Sequence, residues 1–465
     1  MRVEVLFRPV RELSELVRKR QVSPVELTEL YLDRLERIGP RYNAVVTVMR
    51  THALAQARRA EGEIAAGRWR GPLHGIPYGA KDLLATAGAP TTWGAAPYRE
   101  QRFDFDATVV RKLEEAGAVL CAKLAMIELA GGMGYRQPNA SFTGPCINPW
   151  NTQAWSGGSS SGSGAAVCSG LVPFAIGSET WGSILSPAGY CGLAGLRPTY
   201  GRVSRHGAMA LCWTLDKLGP LALTADDCGL ILNAIAGPDP SDPTAADRPY
   251  RYQPTDRKSF RFGMLKGVTD GCEPAVVENF SRSLETLRRI GTVEEVTLPD
   301  LPWEQITRII LQVEAASAFE DLIESGGIAE LTAPEVRYTP YARDAILAKD
   351  YLKAVRLRSV MAREADRVLS RYEALVAPGR TGEAPVLGQE FRSAIVAAGA
   401  KDVMGAVGNG AGLPAVCVPN GLGPRGLPTS IQFMSRAWEE NTALAAARAY
   451  QSLTDWHTRH PVVDP

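Results

Sequence analysis

The sequence predicts an α/β fold organised as one large domain. From Gly71 onward, short apolar strands separated by Gly and Pro alternate with helices. A strand, a helix and another strand also follow the strongest linker signal in the chain, Pro238-Asp239-Pro240-Ser241-Asp242-Pro243, so the sheet is expected to continue across it. No repeat of fixed period appears, and no low-complexity tract is long enough to form a tail.

The elements follow in chain order. Ser23, Pro24 and Glu26 predict a helix start, with Ser at the N-cap, Pro at the first helical position and Glu closing a capping box. Leu27, Leu30, Tyr31, Leu35 and Ile38 recur at helical spacing until Gly39 and Pro40 stop the run. A second helix, rich in Ala, Arg and Glu, is expected over residues 44–66 as a solvated outer helix, which completes an N-terminal helical segment of about 10–66. In the core segment, about 67–240, a helix is expected at 108–116 and a strand at 118–121. Beyond the linker, 260–265 reads as strand and 275–290 as an amphipathic helix with Val276, Phe280, Leu284, Leu287 and Ile290 inward. A strand follows at 293–298, and the charged, helical region of about 300–375 forms a cap or an outer layer.

Charge and composition narrow the function. The chain of 465 residues carries 51 Lys+Arg against 50 Asp+Glu, a formal charge of +1, which excludes nucleic-acid binding by bulk positive charge. With 45% hydrophobic and 22% charged residues it has apolar surface for a large core and is not a disordered chain. The cysteines at 121, 146, 168, 191, 212, 228, 272 and 417 form no Cys-x-x-Cys pair and have no His at metal spacing, so they read as reduced thiols. The first residues lack a long apolar region before a small-residue cleavage site. The longest apolar stretch, 165–177, contains Ser169, Gly170 and Pro173 and falls short of the roughly 20 residues a bilayer requires. A cytoplasmic enzyme with no membrane partner is the expected class.

Three chemistries compete for the Gly/Ser loop Trp155-Ser156-Gly157-Gly158-Ser159-Ser160-Ser161-Gly162-Ser163-Gly164. A phosphate-binding loop would end in Gly-Lys-Ser/Thr, where this chain has Ala165 and Ala166. Gly158 to Gly162 also fits Gly-x-Ser-x-Gly, which would make Ser160 a nucleophile served by His74 or His206. A third reading uses Lys81, at the end of an apolar, Gly-punctuated strand, together with a second Ser turn at Ser183. Two serine turns and a buried lysine permit nucleophilic catalysis without histidine.

The segments around Lys81, Gly157 to Val167 and Ser183, the run Gly195-Leu196-Arg197-Pro198-Thr199-Tyr200-Gly201, and Gly408-Asn409-Gly410-Ala411-Gly412-Leu413-Pro414 resemble the amidase signature family. The resemblance covers nearly the whole chain and is weaker between about 265 and 400. It implies a single domain whose central twisted mixed β-sheet is covered by helices on both faces. It also implies a Ser-Ser-Lys triad, with Ser183 as nucleophile, Ser159 as bridging serine on a cis peptide and Lys81 as base. The N–H groups of Thr180, Trp181 and Gly182 would form the oxyanion hole. Ser160 would support the triad, Gly132 and Met133 would line the pocket, and Asp82 would be structural. No metal and no organic cofactor is implied.

Two departures from the family pattern occur, and the first bears on the substrate. Family members commonly read Asp-Thr-Gly-Gly-Ser-Ile-Arg where this chain reads Glu179-Thr180-Trp181-Gly182-Ser183-Ile184-Leu185. Trp181 puts an indole beside the oxyanion hole and Leu185 removes a cation, so the pocket is expected to be apolar or aromatic unless both side chains turn into the core. A polar Thr-Asn pair is likewise replaced at Leu124-Ala125. The expected function is hydrolysis of a small, largely apolar or aromatic amide, with esters, anilides or carbamates as further substrates and a homodimer as the assembly. The alternative is the glutamine-hydrolysing A subunit of a tRNA-dependent amidotransferase, which residues 192–244 most resemble. A non-catalytic binding relative is disfavoured by the intact Lys81, Ser159 and Ser183.

Overall fold

The β-branched run Val45-Val46-Thr47-Val48 is the first strand of a mixed eleven-stranded sheet in the computed structural model, which describes residues 5–257, 259–337, 339–391 and 402–463. The strands of the chain are β1 (Val45–Val48), β2 (Pro77–Lys81), β3 (Val119–Leu124), β4 (Ile147–Asn148), β5 (Asn151–Trp155), β6 (Phe174–Glu179), β7 (Ala194–Arg197), β8 (Lys217–Ala222), β9 (Phe260–Leu265), β10 (Gly291–Val296), β11 (Ala374–Pro378), β12 (Ala415–Leu422) and β13 (Pro428–Met434). The main sheet runs β1-β3-β2-β6-β8-β7-β12-β13-β11-β9-β10, and β4 and β5 pair separately. Both sides of the linker contribute to it, because the C-terminal pair β12 and β13 joins β7 to β11.

The expected helix over 44–66 is corrected to a strand followed by the helix Arg50–Ala65. Val45, Thr47 and Val48 pair with Leu124, Lys123 and Ala122 of β3, so the β-branched run forms a strand against a partner distant in sequence, and the helix starts only after it. The helix from Ser23 forms as expected: Ser23 Oγ accepts the N–H groups of Val25 and Glu26, and the capping box is closed. The later helix is Pro274–Arg288, with Val276, Phe280, Leu284 and Leu287 buried, whereas Ile290 lies beyond its end and is half-buried. The next strand begins at Gly291, two residues earlier than expected, because its parallel register sets Gly291 against Phe260. The Pro-Asp linker is pinned to the core: Ser204 Oγ donates to Asp239 and the Arg205 N–H to Asp242, at 2.6 and 2.7 Å.

Two apolar clusters fill the interior, a large one and a smaller one around Leu32, Val167, Leu171 and Ile184. The helix Ser161–Cys168 is buried at every position, as expected of a helix without a polar face. In the cap region, the helices Trp303–Ala318 and Ala348–Leu369 pack on each other and on the helix Val403–Gly410, beside the turn that follows β6. No helix among the described residues is long and apolar enough to cross a membrane. All eight cysteines are free thiols, and seven of them are buried.

Candidate active site

Strands β2 and β6 run parallel, with Gly79 beside Ala175 and Ala80 beside Ile176. Their carboxyl ends therefore emerge side by side, where sites of α/β proteins commonly form. Lys81 is the last residue of β2 and has no solvent exposure. Its Nζ lies 2.7 Å from Ser159 Oγ and 2.9 Å from Ser178 Oγ. Burial disfavours the ammonium and brings Lys81 down to about 7, although the carboxylates of Asp216 and Glu179 pull the other way. The Gly158–Ser159 peptide is cis. The Ser160 N–H donates to the carbonyl of Ser183 at 3.3 Å, tying the serine loop to the second serine turn.

That turn leaves β6 after Glu179, passes Gly182 at a φ of +85°, and presents Ser183 at the head of the helix Leu185–Cys191. Ser183 is 8% exposed, against 0% for Lys81 and Ser159, so it is the member of the trio that faces outward. Glu179 Oε2 accepts the N–H groups of Ile184 and Leu185 at 2.9 and 3.0 Å, and Oε1 accepts from Arg197 at 3.0 Å. Burial works against the Glu179 charge, but Arg197, Lys217 and the two N–H groups outweigh it and hold the carboxyl below its ordinary value. The N–H groups of Thr180, Trp181 and Gly182 donate to no protein acceptor among the described residues. Thr180 Oγ1 donates to Asp216, whose other oxygen accepts the N–H groups of Leu211 and Cys212.

The remaining sequence candidates are distributed around this centre. Ser160 Oγ donates to the Ser178 carbonyl and accepts the Ser178 N–H, both at 3.2 Å, which anchors the end of β6; neither His74 nor His206 is among its partners. A Cβ on Gly162 would lie 2.4 Å from Ala125 N and from Ala44 O, so the Gly/Ser loop is enclosed by backbone and leaves no room for a phosphate. Met133 is buried, and the Gly132 carbonyl accepts from Arg343. Leu185 is buried in the large apolar cluster. Trp181 is half-buried; its Nε1 donates to Asp402 Oδ2 at 2.8 Å, and the Arg308 guanidinium sits 5.4 Å from its ring centroid. Asp82 pairs with Lys123 at 3.0 Å, both fully buried.

Sequence reasoning missed Ser178. Its signal was the parallel pairing of β2 with β6, which brings the end of β6 within reach of the Lys81 side chain, and pairing is not legible in either strand alone. A cavity of about 180 Å³ opens beside the same turn and is lined by Ser178, Thr180, Asp216, Leu83, His206 and Trp213. Lys217 is a second buried lysine brought down to about 7 by burial, but its Nζ meets Asn409 Oδ1 at 2.9 Å and no serine. Among the described residues no cluster of three metal-ligating side chains occurs. A neutral lysine bonded to two serine hydroxyls can accept a serine proton, and the unpaired N–H groups beside it can receive a developing oxyanion.

The Amidase family model matches residues 26–444. The glutamyl-tRNA(Gln) amidotransferase A subunit of Carboxydothermus hydrogenoformans is 34% identical, over 99% of this chain and 100% of that one. Among solved structures, a chain of a vestigial protein complex bearing on the origins of an s-triazine catabolic enzyme superposes with a TM-score of 0.87 at 29% identity, covering 96% of this chain and 98% of its own. The peptide amidase of Stenotrophomonas maltophilia gives a TM-score of 0.81 at 30% identity, with 96% of each chain covered.

Proposed function

The chain belongs to the amidase family, and from that premise we propose that it hydrolyses the C–N bond of a small amide through an acyl-enzyme on Ser183. The observation that carries this reading is the fully buried Lys81 within 2.7 and 2.9 Å of the hydroxyls of Ser159 and Ser178. Neutral Lys81 takes the proton of Ser159 as Ser159 takes that of Ser183, and Ser183 Oγ attacks the carbonyl carbon. The N–H groups of Thr180, Trp181 and Gly182 receive the oxyanion. The C–N bond breaks as the proton returns through Ser159 to the leaving nitrogen, and water then attacks the ester by the same relay. The reaction is placed in the cytoplasm.

Two substrate readings share this mechanism. One is a largely apolar or aromatic amide, with anilides, esters and carbamates as further substrates; the indole of Trp181 near the oxyanion hole supports it. The other is release of ammonia from glutamine as the A subunit of a tRNA-dependent amidotransferase. It has the better support, because relatives 34–36% identical over 95–99% of this chain carry that name. The test is turnover of glutamine, an aliphatic amide, an aryl anilide, a nitrophenyl ester and an aryl carbamate at pH 7 to 9, for wild type and Ser183→Ala. Glutamine turnover alone establishes the second reading, and aryl turnover the first. Activity undiminished in Ser183→Ala refutes the triad.

A further inference from the structure

Arg380 stands beside the turn that carries Ser183. A Cβ on Gly182 would lie 3.5 Å from Arg380 Nη1, and one on Gly189 would lie 3.6 Å from Arg380 Cγ, so this side chain runs within contact distance of both positions and its guanidinium reaches Gly182. Its guanidinium carbon is 5.5 Å from the ring centroid of Tyr190. Arg380 belongs to none of the ion pairs within 4.0 Å among the described residues, and residues 392–401 contain no Asp or Glu. The carboxylate of Asp402 is engaged elsewhere, by Trp181 Nε1 at 2.8 Å and the Gly405 N–H at 2.9 Å. Arg380 Nε is buried and has no hydrogen-bond partner.

Arg380 is partly open to solvent; burial works against its charge, but Tyr190 and Asp402 favour it, so the guanidinium stays charged beside the Ser183 turn with no carboxylate within 4.0 Å among the described residues. The arrangement makes sense when a ligand supplies the anion. The arginine fork matches a carboxylate in a bidentate pair, and its position next to Gly182 sets that carboxylate only a few bonds from the scissile carbonyl. We propose that Arg380 is the specificity-determining anchor for the acyl group and that the substrate is a monoamide of a short dicarboxylic acid. This rests on the Ser183 reading and replaces, from a distant segment, the cation that Leu185 lacks.

The experiment compares kcat/KM for succinamate, neutral butyramide and cationic β-alaninamide in wild type, Arg380→Gln and Arg380→Glu, with Ser183→Ala as control. Wild type is expected to prefer succinamate. The succinamate-to-butyramide ratio is expected to fall roughly 100-fold in Arg380→Gln, mainly through KM, as a bidentate charged pair is lost. Arg380→Glu is expected to turn the preference toward β-alaninamide, an inversion that a merely structural arginine would not produce. A ratio unchanged in both variants overturns the proposal, as does a wild type that hydrolyses butyramide but not succinamate. Those results leave the Ser183 reading intact; only turnover surviving in Ser183→Ala removes both.

Discussion

The depression of Lys81 from 10.5 to about 7 can be tested as a pH profile. Only neutral Lys81 accepts a proton, so kcat/KM for an amide that does not itself titrate should follow the neutral fraction. With a pKa of about 7 that fraction is about one half at pH 7, about 10% at pH 6 and about 1% at pH 5. The rate should therefore rise about tenfold per pH unit below 6.5 and level off above about 8. An ordinary lysine near 10.5 would be neutral in only about 1 molecule in 3,000 at pH 7, and the rate would climb tenfold per unit to about pH 10. Ammonia release measured from pH 5 to 10 at constant ionic strength separates the two. Either a rise continuing to pH 10 or a flat profile from 5 to 8 would refute the assignment of Lys81 as a neutral base. Stability carries the matching sign: the unfolded chain holds this proton up to about 10.5 and the folded chain only to about 7, so the contribution of Lys81 falls as pH drops from 10.5 to 7 and is constant below.

Further predictions concern the groups around that lysine. Ser178→Ala removes one of the two hydroxyls on Lys81 Nζ and should lower kcat about tenfold, the worth of one hydrogen bond, with a melting temperature close to wild type. Glu179→Gln leaves Arg197 buried without its counter-ion and weakens the acceptor of two N–H groups behind Ser183. It should cost about 3–5 kcal/mol in denaturant unfolding, and a loss below about 1 kcal/mol would contradict the pair's role. Gly162→Ala drives a Cβ to 2.4 Å from two backbone atoms, and the variant should be insoluble or destabilised by more than the usual 1–3 kcal/mol of overpacking, as read by soluble yield and thermal melting.

Local chemistry determined a good deal of this protein. Ser23, Pro24 and Glu26 form the capping box they spell, because a cap is made by residues within one turn. The α/β alternation carries through as the mixed sheet, and the ordered motifs around Lys81, Ser159 and Ser183 named the segments that meet at its centre. The tertiary structure decided what depends on partners far apart in the chain. Residues 45–48 are a strand because β3 lies beside them, and Ser178 reaches Lys81 because β2 and β6 are parallel. Leu185 points to an apolar pocket when read alone, yet it packs into the core, Trp181 is held by Asp402 and Arg308, and the cation beside Gly182 comes from Arg380, nearly two hundred residues away. Propensity and capping act within a few residues, whereas the charge at a site is the sum over whatever the fold brings within a few ångströms, and that sum has no local trace in the sequence.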